Sequence, residues 1–143
     1  SKMHRLFCYG TLQVPQVIQA VTGHTYSGIK AVLRGYAIYR VKNAEYPGIA
    51  HSPGSSTDGI LYEKVSDVDL KVLDLFEGEF YSRKMLEVSL GDGTTNQAWV
   101  YVIAQQHIGI LSEESWSLAD FLNSGLERFM KGYVLARRDI YSV

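Results

Sequence analysis

The chain has a single cysteine, so no internal disulfide can form. Cys8 lies in an apolar run and reads as a small buried hydrophobe rather than a nucleophile. This cysteine usage suits a reducing compartment. No apolar run approaches the length of a membrane span, and the first residues lack the charged-then-apolar pattern of a signal peptide, so a cytoplasmic protein without a membrane partner is expected. An excess of charge of either sign is also missing: 14 Lys and Arg stand against 15 Asp and Glu, a formal net charge of −1. Nucleic-acid and polybasic membrane binders carry a basic footprint that is absent here, which leaves a small molecule as the expected partner.

Motifs for several chemistries are also absent. His4, His24, His51 and His107 stand far apart, and no HxxxH or HxxE spacing gathers two ligands on one helix, so no metal and no other cofactor is expected. There is no P-loop, no GxGxxG element and no GxSxG elbow, which removes motif support for nucleotide binding and serine hydrolysis. Internal repeats, low-complexity tracts and linkers are lacking too. With 143 residues, 46% of them hydrophobic and 20% charged, residues 1–143 are expected to form one domain with a full core, and nothing in the sequence assigns an oligomeric state.

The order of elements follows from local pattern. Arg5 to Tyr9 is a short apolar strand, broken by Gly10-Thr11 before a helix that starts at Pro15 and ends near Gly23. Tyr26 to Val41 reads as one or two strands bent at a bulge, with Gly28 and Gly35 marking the breaks. Tyr46 to His51 predicts a short strand, Ser52 to Asp58 a turn-rich loop, and Gly59 to Val65 a second strand pairing with the first as a hairpin. Leu86, Val88 and Leu90 alternate on a further strand. Gly91-Asp-Gly93 then turns the chain into Ala98 to Ile103, which is apolar on both faces and belongs inside a sheet. Ser117 to Tyr133 predicts a helix with Leu118, Phe121, Leu122, Leu126, Phe129 and Met130 on one stripe, weakened at Asn123-Ser124-Gly125, where a break into two helices is the alternative. The fold class is α+β: a mixed, mostly antiparallel and closed sheet flanked by helices.

Two stretches bear on chemistry. In Leu73 to Arg83 an acidic residue sits among large apolar ones where a helix stops at glycine. Ser66 caps this helix, Asp67 and Asp69 occupy its first turn, and Val68, Val72, Leu75 and Phe76 recur at the spacing of one buried face. Glu77 falls in the last turn, where the negative end of the helix dipole and the apolar side chains of Leu73, Phe76 and Phe80 disfavour a charged carboxylate. Its carboxyl is expected to titrate nearer neutral pH than an ordinary glutamate, as a general base and acid requires. The second stretch, Tyr9-Gly-Thr-Leu-Gln13, has a glycine where backbone can approach a ligand and successive N–H groups that can hold an oxygen.

Phe7-Cys-Tyr-Gly-Thr-Leu12 and Leu73-Asp-Leu-Phe-Glu-Gly78 with Tyr81-Ser-Arg83, joined by Tyr46-Pro-Gly48 and Gly59 to Tyr62, resemble the γ-glutamylcyclotransferase-like superfamily in its AIG2-like branch. The resemblance covers most of the chain and implies a small mixed β-barrel flanked by helices. It further implies that Tyr9, Gly10, Thr11 and Leu12 bind a γ-glutamyl group, that Glu77 moves the proton, and that Tyr81 shapes the pocket. Thr11 stands where many members carry serine. Asp74 and Glu79 are competing acids, but only Glu77 matches the family position.

The implied reaction is an intramolecular acyl transfer that converts a γ-glutamyl amine or γ-glutamyl amino acid into 5-oxoproline and a free amine. Glutathione, γ-glutamyl amino acids, γ-glutamylamines and a γ-glutamyl-lysine crosslink all fit this scheme. Two other readings are a binding module that uses the same pocket without turnover, and a protein-interaction domain, for which Trp116 is the one hint.

Overall fold

The computed structural model describes residues 2–141. Five strands close into a barrel in the order β1 (Met3–Cys8), β3 (Pro47–Ser66), β2 (Gly28–Arg40), β4 (Tyr81–Leu90) and β5 (Thr95–Ile103). Every neighbouring pair is antiparallel except β1 and β5, which run parallel through Leu6↔Trp99 and Phe7↔Val100 and complete the ring. The mixed, mostly antiparallel barrel with flanking helices is the fold class expected from the sequence.

Alternation of side chains builds two cores from the same strands. Phe7 of β1 and Ala98, Val100 and Val102 of β5 fill the barrel with Leu33, Ile49, Leu61 and Val88. Leu6, Cys8 and Tyr101 point the other way, into a second core under the helices. This explains why Ala98 to Ile103 is apolar on both faces. In a closed ring β5 has no free edge, and each face is covered.

Helix α1 (Pro15–Thr22) starts on its proline and ends at Gly23, whose φ of 78° is left-handed. Helix α2 (Asp67–Glu77) is capped by Ser66, whose Oγ accepts from the Asp69 N–H at 3.2 Å. Its buried face differs from the expected one. Leu70, Val72, Leu73 and Phe76 are buried, whereas Val68 and Leu75 are exposed. Asp69 also turns inward, where its carboxylate accepts from Tyr26 and pairs with His24 Nδ1 at 2.7 Å. Apolar spacing identified the helix, but a carboxylate satisfied by two distant partners moved the buried stripe.

The region 46–65 departs further from expectation. Instead of two short strands that pair with each other, Pro47–Ser66 is one strand whose halves both pair with β2. Arg34 pairs with Ser56 and Tyr36 with His51, so residues 52–55 stand opposite Gly35 alone. The turn residues Pro53 and Gly54 therefore make a wide bulge, with Gly35 and Gly54 at φ of 85° and 86°, rather than a reversal of the chain.

Beyond β5, residues 118–141 run as one helical segment of α, π and 3-10 turns. There is no break at Gly125, which keeps right-handed helical angles at φ −110° and ψ −26°. The weak stretch becomes a π turn over Phe121–Gly125. Leu122 is exposed, while Phe121, Phe129 and Met130 are buried. Phe76 of α2 meets Phe129, Tyr133 and Tyr141 of this segment edge-on, which docks it over the end of α2. Trp116 is buried too, with its indole N–H donating to the Glu45 carbonyl at 2.8 Å, so it displays no apolar patch.

Close approach of β3 to the end of β1 fixes where the loop after β1 leaves the barrel. A Cβ at Gly59 would lie 2.5 Å from the Cys8 carbonyl oxygen and 2.6 Å from Phe7 Cζ. Gly59→Ala is therefore expected to lower stability by roughly 1–3 kcal/mol, because backbone cannot yield as a side-chain tip does. Gly91→Ala, where a Cβ meets nothing within 4 Å, is expected to be close to neutral; denaturant unfolding of both variants checks the contrast.

Candidate functional site

β1 ends at Cys8, and the chain enters a 3-10 turn at Thr11–Gln13. Helix geometry leaves the first N–H groups of such a turn without intrahelical acceptors. Their carbonyls are occupied: Gln13 N–H donates to the Gly10 oxygen at 3.1 Å, and the Gln13 side-chain amide donates to the oxygens of Tyr9 at 2.8 Å and Gly10 at 3.2 Å. The loop is thus held by its oxygens. Its outer wall is Pro47, whose ring would lie 2.9 Å from a Cβ at Gly10, so only glycine fits there.

Helix α2 delivers Glu77 to the same place. Its last residue is Glu77, and Gly78, at φ 79°, turns the chain away while its N–H bonds the Asp74 carbonyl. A cavity of ≈ 20 Å³ lies between the loop and the helix end. Tyr9, Gly10, Thr11, Leu12, Glu77 and Tyr81 all line it. These are the six residues singled out in the sequence. Phe7, Cys8, Tyr46, Pro47 and Tyr101 complete the wall.

Tyr101 had not been marked as a site residue. Its signal was a polar-tipped aromatic inside an otherwise apolar strand, which in a buried setting needs a partner for its hydroxyl. Tyr46 and Pro47 had been read only as part of a strand.

Glu77 carries the one carboxyl in this lining, which holds no Lys, Arg or His. Burial, and after it the charge of Asp74 one turn earlier, push its carboxyl from the ordinary 4.5 up to about 8. The cause is therefore only partly the one expected. Leu73 and Phe76 are buried nearby, but Phe80 is turned outward and packs edge-on against His107 at 5.0 Å between centroids. Tyrosine rings take the place of the expected phenylalanine.

The competing acids separate cleanly. Glu79 is exposed and absent from the cavity lining. Asp74 is engaged: Arg83 donates Nε to Oδ1 at 2.7 Å and Nη2 to Oδ2 at 3.1 Å, and the Tyr101 hydroxyl donates to Oδ1 at 2.8 Å. Arg83 also lies 4.2 Å over the Trp99 ring. Asp74 is thus bound behind the cavity by Arg83 and Tyr101, while Glu77 lines it.

The other pocket groups are held out of ionisation. Burial and then the Glu77 charge raise Cys8, Tyr9 and Tyr81 well above their ordinary values. The Tyr9 hydroxyl donates to the Tyr101 carbonyl at 2.6 Å, and the Tyr81 hydroxyl donates to the Pro47 carbonyl at 2.7 Å. Glu77 is the pocket group whose titration falls near neutral pH. Among the described residues, no three or more His, Cys, Asp or Glu side chains gather as metal ligands, and no helix is long and apolar enough to cross a membrane.

Comparison with known proteins places this geometry in a family. The chain is 37% identical to "AIG2-like protein C" of Arabidopsis thaliana over 87 residues, 61% of this chain and 51% of that protein. It is 30% identical to "Protein AIG2 B" of the same plant over 132 residues, 92% of this chain and 78% of that one. In the first of these alignments the chain spans about half the length of its relative. An Arabidopsis thaliana protein solved in solution superposes with a TM-score of 0.72 at 27% identity, covering 93% of this chain and 81% of that one. A solved "Gamma-glutamyl cyclotransferase" shares the fold with a TM-score of 0.64 at 18% identity, covering 72% of this chain and 68% of its own. The model of one family matches residues 6–118, and the chain belongs to that family: gamma-glutamyl cyclotransferase, AIG2-like.

Proposed function

We propose that this protein is a γ-glutamylcyclotransferase that converts a γ-glutamyl amine or γ-glutamyl amino acid into 5-oxoproline and a free amine, with Glu77 as the group that carries the proton. The observation that carries the reading is a single carboxyl, held near 8, set across a small cavity from a turn of free N–H groups. The γ-glutamyl group has a matching pattern of charge. Its α-carboxylate and γ-carbonyl oxygen suit the N–H side, and its α-ammonium suits the carboxyl side.

The steps follow from that orientation. As the ammonium approaches, its positive charge favours the carboxylate form of Glu77 and lowers a pKa that burial had raised. Glu77 takes one ammonium proton, and the nitrogen lone pair attacks the γ-carbonyl carbon. The N–H groups of Gly10 to Leu12 receive the charge that builds on the oxygen. As the C–N bond to the leaving group breaks, Glu77 returns its proton to the departing nitrogen, and the attacking nitrogen loses a second proton through solvent. The ring nitrogen keeps one hydrogen, the amine departs neutral and takes up the solvent-borne proton to become an ammonium, and Glu77 ends as it began. Nucleophile and electrophile share one molecule, so the protein needs only to fold the substrate and move a proton.

The cavity of ≈ 20 Å³ holds about one water, so a γ-glutamyl group enters only as the wall moves. Tyr46 forms part of that wall and packs on Tyr133 of the helical segment at 5.1 Å between centroids.

Incubation with a panel of γ-glutamyl compounds, followed by mass spectrometry of 5-oxoproline, is the test of function. Product is expected from the wild type, and Glu77→Gln is expected to lower the rate by about 10²-fold or more. Absence of product from a folded wild type across the panel would favour a binding module. The pH profile tests the proton step. Glu77 must start as carboxylate, so kcat/KM is expected to rise with pH toward about 8. Asp74→Asn removes a like charge, and the rising limb is then expected to move to lower pH; a limb that stays in place would assign it to another group.

A further inference from the structure

Arg137 stands behind one wall of the cavity without a counter-ion. Its guanidinium carbon lies 4.2 Å over the Tyr133 ring, and Tyr133 packs on Tyr46 at 5.1 Å between centroids. Tyr46 is a half-buried part of the cavity wall. Arg137 is half-buried too, yet no Asp or Glu pairs with it among the described residues. Taking a cation partly out of water costs hydration, which a counter-ion offsets. Arg83, by contrast, is committed to Asp74.

The phenols around Arg137 are equally short of acceptors. Tyr9, Tyr62, Tyr81 and Tyr101 each donate to a carbonyl or carboxylate oxygen. Tyr46, Tyr133 and Tyr141 have no such bond among the described residues, and the Tyr141 hydroxyl is buried without any partner there. Burial raises the pKa of all three, and the positive charge of Arg137 opposes that rise in each. One guanidinium therefore stands within electrostatic reach of three phenols. A carboxylate suits such a set, because it is an anion with lone pairs for both N–H and O–H donors.

The same corner borders Glu77. Phe76, the residue before it, meets Tyr133 at 5.8 Å and Tyr141 at 5.6 Å between centroids. The charge of Glu77 adds to the burial that raises Tyr46 and Tyr133. Glu77 hands a proton to the departing nitrogen, so the leaving group lies on this side.

We infer that Arg137, with the hydroxyls of Tyr133 and Tyr141, forms a subsite behind Tyr46 for the α-carboxylate of a departing amino acid. The inference rests on the cyclotransferase reading and deepens it: γ-glutamyl amino acids are favoured over γ-glutamylamines, whose departing amine has no carboxylate beside its nitrogen. In an amino acid the nitrogen and the carboxylate share one carbon, so a nitrogen at Glu77 holds its carboxylate toward Tyr46. The wall has to move for a γ-glutamyl group to enter, and displacement of Tyr46 opens the way to Arg137. The carboxylate of the γ-glutamyl group itself stays with the N–H groups of the turn.

γ-Glutamylalanine and γ-glutamylethylamide differ by the leaving-group carboxylate alone. Their affinities are measured by calorimetry on Glu77→Gln, which prevents turnover, and on Glu77→Gln with Arg137→Leu. The first protein is expected to bind γ-glutamylalanine about ten-fold more tightly, the size of one hydrogen bond to a charged group. In the double variant that preference should fall to about two-fold or less, while affinity for the ethylamide stays the same. Equal weakening of both ligands would make Arg137 merely structural and overturn the inference, as would an unchanged preference or none at the outset. If Arg137→Leu does not fold, Tyr141→Phe in the Glu77→Gln background takes its place. It is expected to lower the preference about three-fold without loss of stability, since the hydroxyl removed has no partner to lose; an unchanged preference there overturns the inference as well. Failure of the cyclotransferase reading is distinct: the wild type would form 5-oxoproline from neither compound, whereas failure of the inference alone leaves product from both.

Discussion

A short parallel contact between the first and last strands of the barrel is the constraint on which this molecule depends. β1 and β5 meet through two residue pairs, and the join is extended beyond the end of β1 by the Tyr9 hydroxyl on the Tyr101 carbonyl. That bond is buried and links residues 92 apart in the chain. It reinforces the closure made by the strand pairing and holds the turn at Gly10 to Gln13 against the strand that carries Tyr101. Together with the Tyr62 hydroxyl, which donates to the Leu12 carbonyl at 2.8 Å, it fixes the loop against the barrel, so that the loop and the end of α2 line one cavity.

The same arrangement sets the electrostatics at a cost to stability. Glu77 is forced toward its neutral form by burial and by Asp74, so its carboxyl titrates near 8 rather than 4.5. A carboxyl with a raised folded value binds its proton more tightly in the native state. Its burial is therefore least costly below the unfolded value, and stability declines as pH rises from about 4.5 through about 8. Asp74, one turn earlier, accepts hydrogen bonds from Arg83 and Tyr101. Two carboxyl groups one turn apart thus take different roles: Asp74 holds a tyrosine and an arginine, and Glu77 lines the cavity with its titration moved near neutral pH.

The parts of this site that are local in sequence were legible there. The glycine loop after β1, the serine cap of α2 and the stop at Gly78 are each encoded within a few residues, and the resemblance joined them. What could not be read was whatever depends on distant partners. Val68 and Leu75 fit the apolar spacing of α2 as well as Leu70 and Leu73 do, and the choice between stripes was made by His24 and Tyr26 capturing Asp69. Pro53 and Gly54 carry the chemistry of a turn, yet in β3 they form a bulge because β2 pairs with both halves of the strand. Tyr101 escaped notice for a related reason. Nothing near it in the sequence shows that the barrel closure brings its ring to Glu77 and its hydroxyl to Asp74.

The central claim is that a carboxyl poised near neutrality faces the cavity. It is tested most directly by following the side-chain carboxyl carbons of ¹³C-labelled glutamate by NMR from pH 4 to 10, with Glu77→Gln to assign the resonance. One carboxyl is expected to titrate near 8 and to vanish in the variant. A Glu77 resonance that titrates near the ordinary 4.5 would contradict the account, because the site would then lack a group able both to take the substrate's proton and to return it.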